Sequence, residues 1–194
     1  MVTLMNLFWI DFVNSDWHDP LGKTPDRDEL EDHAWLRALL DRWRLPKVDP
    51  RSRDTRAALR DLRTLLQTFV RTLVRDGSLR PAELATLNRY LAAHPVTSRL
   101  EIQDDAFRLR LTPTARGLDG VLFGITESFA TFLAEGDPTR LKLCENHDCR
   151  CVFYDTTRSR TRRWCADSCG NLIKVREFRR KKKTAKKIHR RHSE

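Results

Sequence analysis

All five cysteines of this 194-residue chain, Cys144, Cys149, Cys151, Cys165 and Cys169, lie within one short C-terminal stretch. An odd number packed so closely makes a poor disulfide framework, and in a reducing compartment such clustering points to a metal. Four of them form two close pairs, Cys144-x4-Cys149 and Cys165-x3-Cys169, separated by a loop. That is the pattern of a tetrahedral zinc site assembled from two halves. With Cys144, Cys149, Cys165 and Cys169 as ligands no position is left for water, so the expected role of the zinc is structural and not catalytic. Cys151 leaves an alternative open. It reads best as a small buried residue on a strand, but exchanging it for Cys149 would give a longer first knuckle. His147 could also replace a thiolate, although a histidine in a polar loop is more often solvated.

The residues around the cysteines suggest how the site is built. Arg140-Leu-Lys-Leu143 has the look of a short strand entering a knuckle, and Cys151-Val-Phe-Tyr154 of a strand leaving it. Cys165 and Cys169, four apart, would share one helical face. A knuckle, a short hairpin and a helix make a small treble-clef-like finger, expected over residues 139–180. Its apolar residues are few, among them Leu143, Val152, Phe153, Trp164, Ile173 and Phe178. So small a core needs the metal, which in modules of this kind supplies on the order of 10 kcal/mol of folding free energy.

Charge follows the same division. Residues 1–140 carry 20 Lys+Arg against 21 Asp+Glu, and residues 141–194 carry 17 against 6, so the net +10 comes entirely from the C-terminal part. A near-neutral body with a basic end suits a polyanion partner. The loop Thr156-Thr-Arg-Ser-Arg-Thr-Arg-Arg163 alternates guanidinium and hydroxyl groups, the chemistry that contacts phosphate oxygens. Candidate nucleic-acid contacts are Arg158, Arg160, Arg162, Arg163, Lys174, Arg176, Arg179 and Arg180. The charge run that follows, in residues 181–194, is expected to be a disordered basic tail.

Residues 1–138 read as a mostly helical domain with its own core. Apolar spacing predicts helices over Asp28–Arg44, Asp54–Arg75, from Pro81 to near His94-Pro95, and over Leu118–Glu135. Residues 99–111 switch to alternation around Asp104-Asp105, a hairpin pattern. Gly120 and Gly124, one turn apart, mark a close approach to a neighbour. The segment Met1–Trp17 lacks a basic leader and a small-residue cleavage site and reads as mature structure. No apolar run approaches the roughly 20 residues needed to span a bilayer, so no membrane partner and a cytoplasmic location are expected. Asn14, Asp16 and Trp17, with His18, could line a pocket for an unknown small-molecule ligand, although a satisfied turn is the plainer reading. There is no Gly-rich phosphate loop and no nucleophile with a base, so the chain is not expected to be an enzyme.

The residues around the cysteines resemble the CGNR zinc-finger family of bacterial proteins. The resemblance runs through Cys144-x4-Cys149, Phe153-Tyr-Asp155, Arg162-Arg-Trp-Cys165, Cys169-Gly-Asn171 and Lys174-Val-Arg176. It departs at position 172, where Leu172 stands in place of the family's arginine, and any phosphate contact assigned to that arginine is lost. Phe12-Val-Asn14 and Trp35-Leu36 are similar to the helical, ABATE-like stress-induced transcription regulator domain that accompanies this finger. The resemblance implies zinc binding and nucleic-acid binding in transcription control.

The expected fold is therefore mainly α with a small β-hairpin: a helical N-terminal domain followed by the finger. The expected function is that of a zinc-dependent DNA-binding regulator, whose body senses a signal or forms a homodimer. The alternative is an RNA-binding or ribosome-associated zinc protein. Duplex DNA is favoured because RNA recognition usually displays exposed aromatic rings, and the finger has few to offer.

Overall fold

A computed structural model describes residues 7–93, 96–103, 105–114 and 116–191. These residues are predominantly helical, with three small antiparallel strand pairs among them. A short helix α1 (Phe8–Val13) opens it and buries Phe8, Trp9, Phe12 and Val13. Two-residue strands β1 (Asp16–Trp17) and β2 (Arg27–Asp28) then pair across the loop that carries Pro20, Gly22 and Pro25.

The helix expected over Asp28–Arg44 is shorter and broken. Asp28 caps a 3-10 turn, Glu29–Glu31, by accepting from the Leu30 N–H. Asp32 then caps α2 (His33–Arg42) by accepting from the Ala34 and Trp35 N–H groups. Two short acidic side chains four residues apart each offer the backbone a cap, and that competition divides the helix.

α3 (Arg53–Asp76) follows its amphipathic pattern closely. Ser52 caps its start, accepting from the Thr55 N–H, and Gly77 ends it at φ +77°, where only glycine is unstrained. α4 (Pro81–Ala92) begins on proline, as expected, and Glu83 accepts from the Arg80 N–H. The expected stop at His94-Pro95 lies outside the described residues. β3 (Val96–Gln103) and β4 (Ala106–Pro113) form the hairpin, longer than its sequence pattern, with Leu100 opposite Leu109 and Ile102 opposite Phe107.

α5 (Gly117–Glu135) is the central helix. Its 19 residues are long and apolar enough to cross a membrane, which corrects the expectation that no segment approaches that length. Here Val121, Ile125, Phe129 and Phe132 are all inside the core. Gly124 is where α5 meets the segment after α2: a Cβ there would stand 2.5 Å from the Leu45 side chain. The core collects α1, α2, α3 and α5, with Trp9 set edge-on to Phe129 at 4.8 Å between ring centroids.

The strands β5 (Leu141–Leu143) and β6 (Val152–Tyr154) pair antiparallel and carry the finger. They lie against the body: Leu141 and Val152 belong to the same buried cluster as Trp9 and Phe129, and Tyr154 meets Phe132 edge-on at 6.0 Å. The expected boundary at residues 138–139 is thus crossed by a continuous apolar core. The last element, α6 (Asp167–Arg191), continues as helix through the segment expected to be disordered from residue 181. No glycine or proline follows Gly170, and Lys, Arg and Ala are good helix formers. A helix already started at the cysteines therefore has nothing to stop it.

Candidate metal centre and the helix that leaves it

Four sulfurs converge where β5, β6 and α6 meet. Those of Cys144, Cys149, Cys165 and Cys169 all lie within 4.8 Å of one another. Cys149 Sγ is 3.5 Å from Cys165 Sγ, which is 3.8 Å from Cys169 Sγ. Zinc–sulfur bonds of about 2.3 Å in a tetrahedron require sulfurs about 3.8 Å apart, so the donor set has the size the ion needs. All five cysteines are unpaired by disulfide. Four thiolates this close would repel one another: Cys149 is lowered to about 2 by hydrogen bonds from Cys151 and Cys165, whereas Cys165 is pushed far up by its hydrogen bonds to Cys149 and Cys151 and by burial, and Cys169 is pushed up to about 11, first by burial. A divalent cation removes that conflict, because it takes thiolates as ligands.

Cys151 stands outside this group of four. It lies on the exit from the knuckle, where its thiol is directed to the Val152 carbonyl at 3.4 Å and its backbone carbonyl accepts from the Cys144 N–H at 2.8 Å. Its place beside the site is that of the small packed residue, and the cluster uses Cys149.

The first knuckle is held from inside by Asn146, which is fully buried. Its carbonyl accepts from the Cys149 N–H, and its Nδ2 donates to the Pro20 carbonyl at 2.9 Å and toward Cys169 Sγ at 3.7 Å. The Pro20 loop is itself organised by Asp19, whose carboxylate accepts from the Leu21, Lys23 and Thr24 N–H groups and is lowered by them to about 2. The second pair departs from expectation in one respect. Cys165 precedes α6, and only Cys169 sits in its first turn.

Trp164 explains the glycine after Cys169. Its ring lies against Gly170, where a Cβ would come within 2.9 Å of it. Arg163 covers the ring at 4.9 Å and Lys174 at 6.0 Å. Asp155 organises the loop between the cysteine pairs. Burial would raise its carboxyl, but Lys142, the Thr157 hydroxyl and N–H, and the Arg162 N–H hold it well below the usual carboxylate range.

These contacts sort the expected nucleic-acid residues. Arg162 turns inward: it donates to the Trp164 and Cys165 carbonyls and lies over the Phe153 ring. Arg176 donates to Asp148 and to the Leu21 carbonyl. Both guanidinium groups hold the finger together, a use that a count of basic residues cannot reveal. Arg163 pairs with Glu145 and Arg160 with Asp137, both at the surface. Arg158, Lys174, Arg179 and Arg180 are exposed, as are Lys181, Lys182 and Lys183.

The expected pocket residues are dispersed. Asn14 and Asp16 line a cleft of about 250 Å³ between body and knuckle, together with His18, Arg71, His147 and Arg150. Asn14 is committed to the Val152 backbone, and His18 lies between Asp16 at 3.3 Å and Asp26 at 2.7 Å. Trp17 stands apart from this cleft under the Arg27 guanidinium. Sequence reasoning missed Asn146 and Asp19, whose only signal was the turn-forming tendency of Asn and Asp beside a cysteine pair and a proline, and it met Asp155 in the family motif without giving it a role.

Comparison with protein families agrees with this geometry. Residues 140–182 match the CGNR zinc finger. Residues 7–136 match the family described as "Putative stress-induced transcription regulator", ABATE. Both are regulatory or zinc-finger families, not catalytic ones. A search of curated proteins gave no match. The two matches meet at the start of β5 and together span nearly all the described residues, and the chain belongs to the ABATE family, with a CGNR zinc finger following it at residues 140–182.

Proposed function

We propose that the protein is a cytoplasmic, zinc-dependent regulator that binds duplex DNA through the finger and α6, with the helical body as its sensing or dimerising part. One observation carries this reading. α6 starts at the metal cluster and presents Arg179, Arg180, Lys181, Lys182 and Lys183, all exposed, as an unbroken cationic run. Twenty-five helical residues span about 37 Å, long enough to cross a groove about 12 Å wide and reach phosphates on both sides. Zinc at the cysteine cluster would fix the start of the helix and so the axis along which these charges are carried. Lys174, within α6, and Arg158, on the loop between the cysteine pairs, are exposed and add to the field. Arg162 and Arg176 serve this surface indirectly, by holding the loop and the first turns of α6 in place.

Neutralising phosphates accounts for affinity, not for sequence choice. Base reading falls to exposed groups on the finger beside the metal site, Lys174 and Arg163 among them. The second reading, an RNA-binding protein, draws on Phe178, whose ring is exposed on α6 and could stack a base. Competition at fixed salt between duplex DNA, single strands and RNA, with metal-loaded and chelated protein, separates them. The proposal expects duplex DNA to compete best and chelation to abolish the preference. Preferred binding of RNA would replace it with the second reading.

A further inference from the structure

The hairpin β3–β4 leaves an apolar face without cover. Leu100, Ile102, Phe107 and Leu109 are 63%, 71%, 75% and 68% exposed. They form two directly opposed cross-strand pairs, Leu100 with Leu109 and Ile102 with Phe107, so that all four side chains leave the same side of the ribbon. The opposite side carries polar residues, Glu101 facing Arg108 among them. The alternation is therefore that of a ribbon built to bury one face, yet the described part of the chain does not bury it. A two-stranded hairpin alone is marginal in water and needs such burial to persist.

We propose that this face docks on the same face of a second copy of the chain, giving a twofold dimer. The area supports this occupant. Four large side chains exposed to this degree offer roughly 500 Å² of apolar surface, the upper end of what a monomer carries. Two copies face to face remove about 1,000 Å², the size at which a stable interface begins. Chemistry supports it as well. An uncharged apolar patch is complementary to itself, as a twofold interface requires. The turn of the hairpin carries Asp105, and Glu101 lies on the ribbon, so this end of the body would repel an anionic lipid surface or a nucleic acid. Residues 1–140 have nearly balanced charge, 20 Lys+Arg against 21 Asp+Glu, so two bodies can approach while the basic ends stay apart.

The proposal does not depend on what the finger contacts, and its test reads mass alone. Light scattering and sedimentation equilibrium of the full metal-loaded chain are expected to give twice the monomer mass in the micromolar range. Ile102→Lys with Phe107→Lys is expected to give monomer, with helix content and metal content unchanged. Leu100→Thr with Leu109→Thr keeps strand-forming residues and decides the matter if the lysine variant misfolds: its dissociation constant should rise at least tenfold. A wild-type chain that stays monomeric across the micromolar range overturns the proposal. So does a dimer whose dissociation constant the threonine variant leaves unchanged.

Discussion

Asn14 grips Val152 by both of its backbone polar groups, across 138 residues of sequence. Its Nδ2 donates to the Val152 carbonyl at 2.8 Å, and its Oδ1 accepts from the Val152 N–H at 2.8 Å. A side-chain amide thus stands where a neighbouring strand would be, and it fastens β6 of the finger to the end of α1. Removing it leaves two backbone groups of a buried residue without their partner, at a cost of about 1–3 kcal/mol each where water cannot replace it. Asn14→Ala should lower the denaturation midpoint while metal content stays at one ion per chain. Loss of the ion in this variant would mean that the docking contact is part of the metal site.

The metal centre makes a sharper demand. Cys144→Ser, Cys149→Ser, Cys165→Ser and Cys169→Ser should each lose the ion, and Cys151→Ser should keep it, as read by metal analysis of purified protein. A metal-free Cys151→Ser protein together with a loaded Cys149→Ser protein would reverse the assignment of the knuckle.

Gly170→Ala tests the packing behind the site. The new methyl group would meet the Trp164 ring at 2.9 Å, and moving the ring would disturb its contacts with Arg163 and Lys174. Overpacking of this kind costs about 1–3 kcal/mol. Metal affinity, measured by competition with a chelator, should fall and tryptophan fluorescence should shift.

Arg63 and Asp28 form a pair inside the body, at 2.6 and 2.8 Å, and Arg63 also donates to Ser15 Oγ. Burial alone would raise the Asp28 carboxyl, but the Arg63 hydrogen bonds and charge hold it below its ordinary value. A lowered carboxyl contributes stability above the ordinary value near 4 and loses it as pH falls through the folded value. Arg63→Met should therefore cost about 3 kcal/mol at pH 7, and the gap from wild type should narrow below pH 4. A gap that stays constant from pH 7 to pH 3 in chemical denaturation would contradict the ion pair as its source.

Much of this was legible from residue spacing. The period of the apolar residues located α3 and α5 to within about a residue, because both helices bury one continuous face and have clear ends in Ser52, Gly77 and Gly117. The cysteine spacing located the four sulfurs, since two close pairs can converge in few ways. α1 was not legible: six residues, mostly apolar, have no period to read, and the helix exists because Trp9 and Phe12 fill the gap beside α5. The shared core across β5 and β6 was not legible either. Leu141 and Val152 look like the sparse core of a small finger until the body is seen packed against them. The same holds for Arg162 and Arg176, whose tertiary partners, unlike their charge, leave no local trace.

Salt titration of duplex DNA binding tests the central claim most directly, comparing the metal-loaded wild type with a variant carrying Arg179→Gln, Lys181→Gln and Lys183→Gln in the exposed stretch of α6. The account predicts nucleic-acid binding that weakens steeply with salt, and a log–log slope in the variant shallower by about 0.9 for each phosphate contact removed. A wild-type protein that binds no duplex DNA at low salt, or a variant with an unchanged slope, would contradict it.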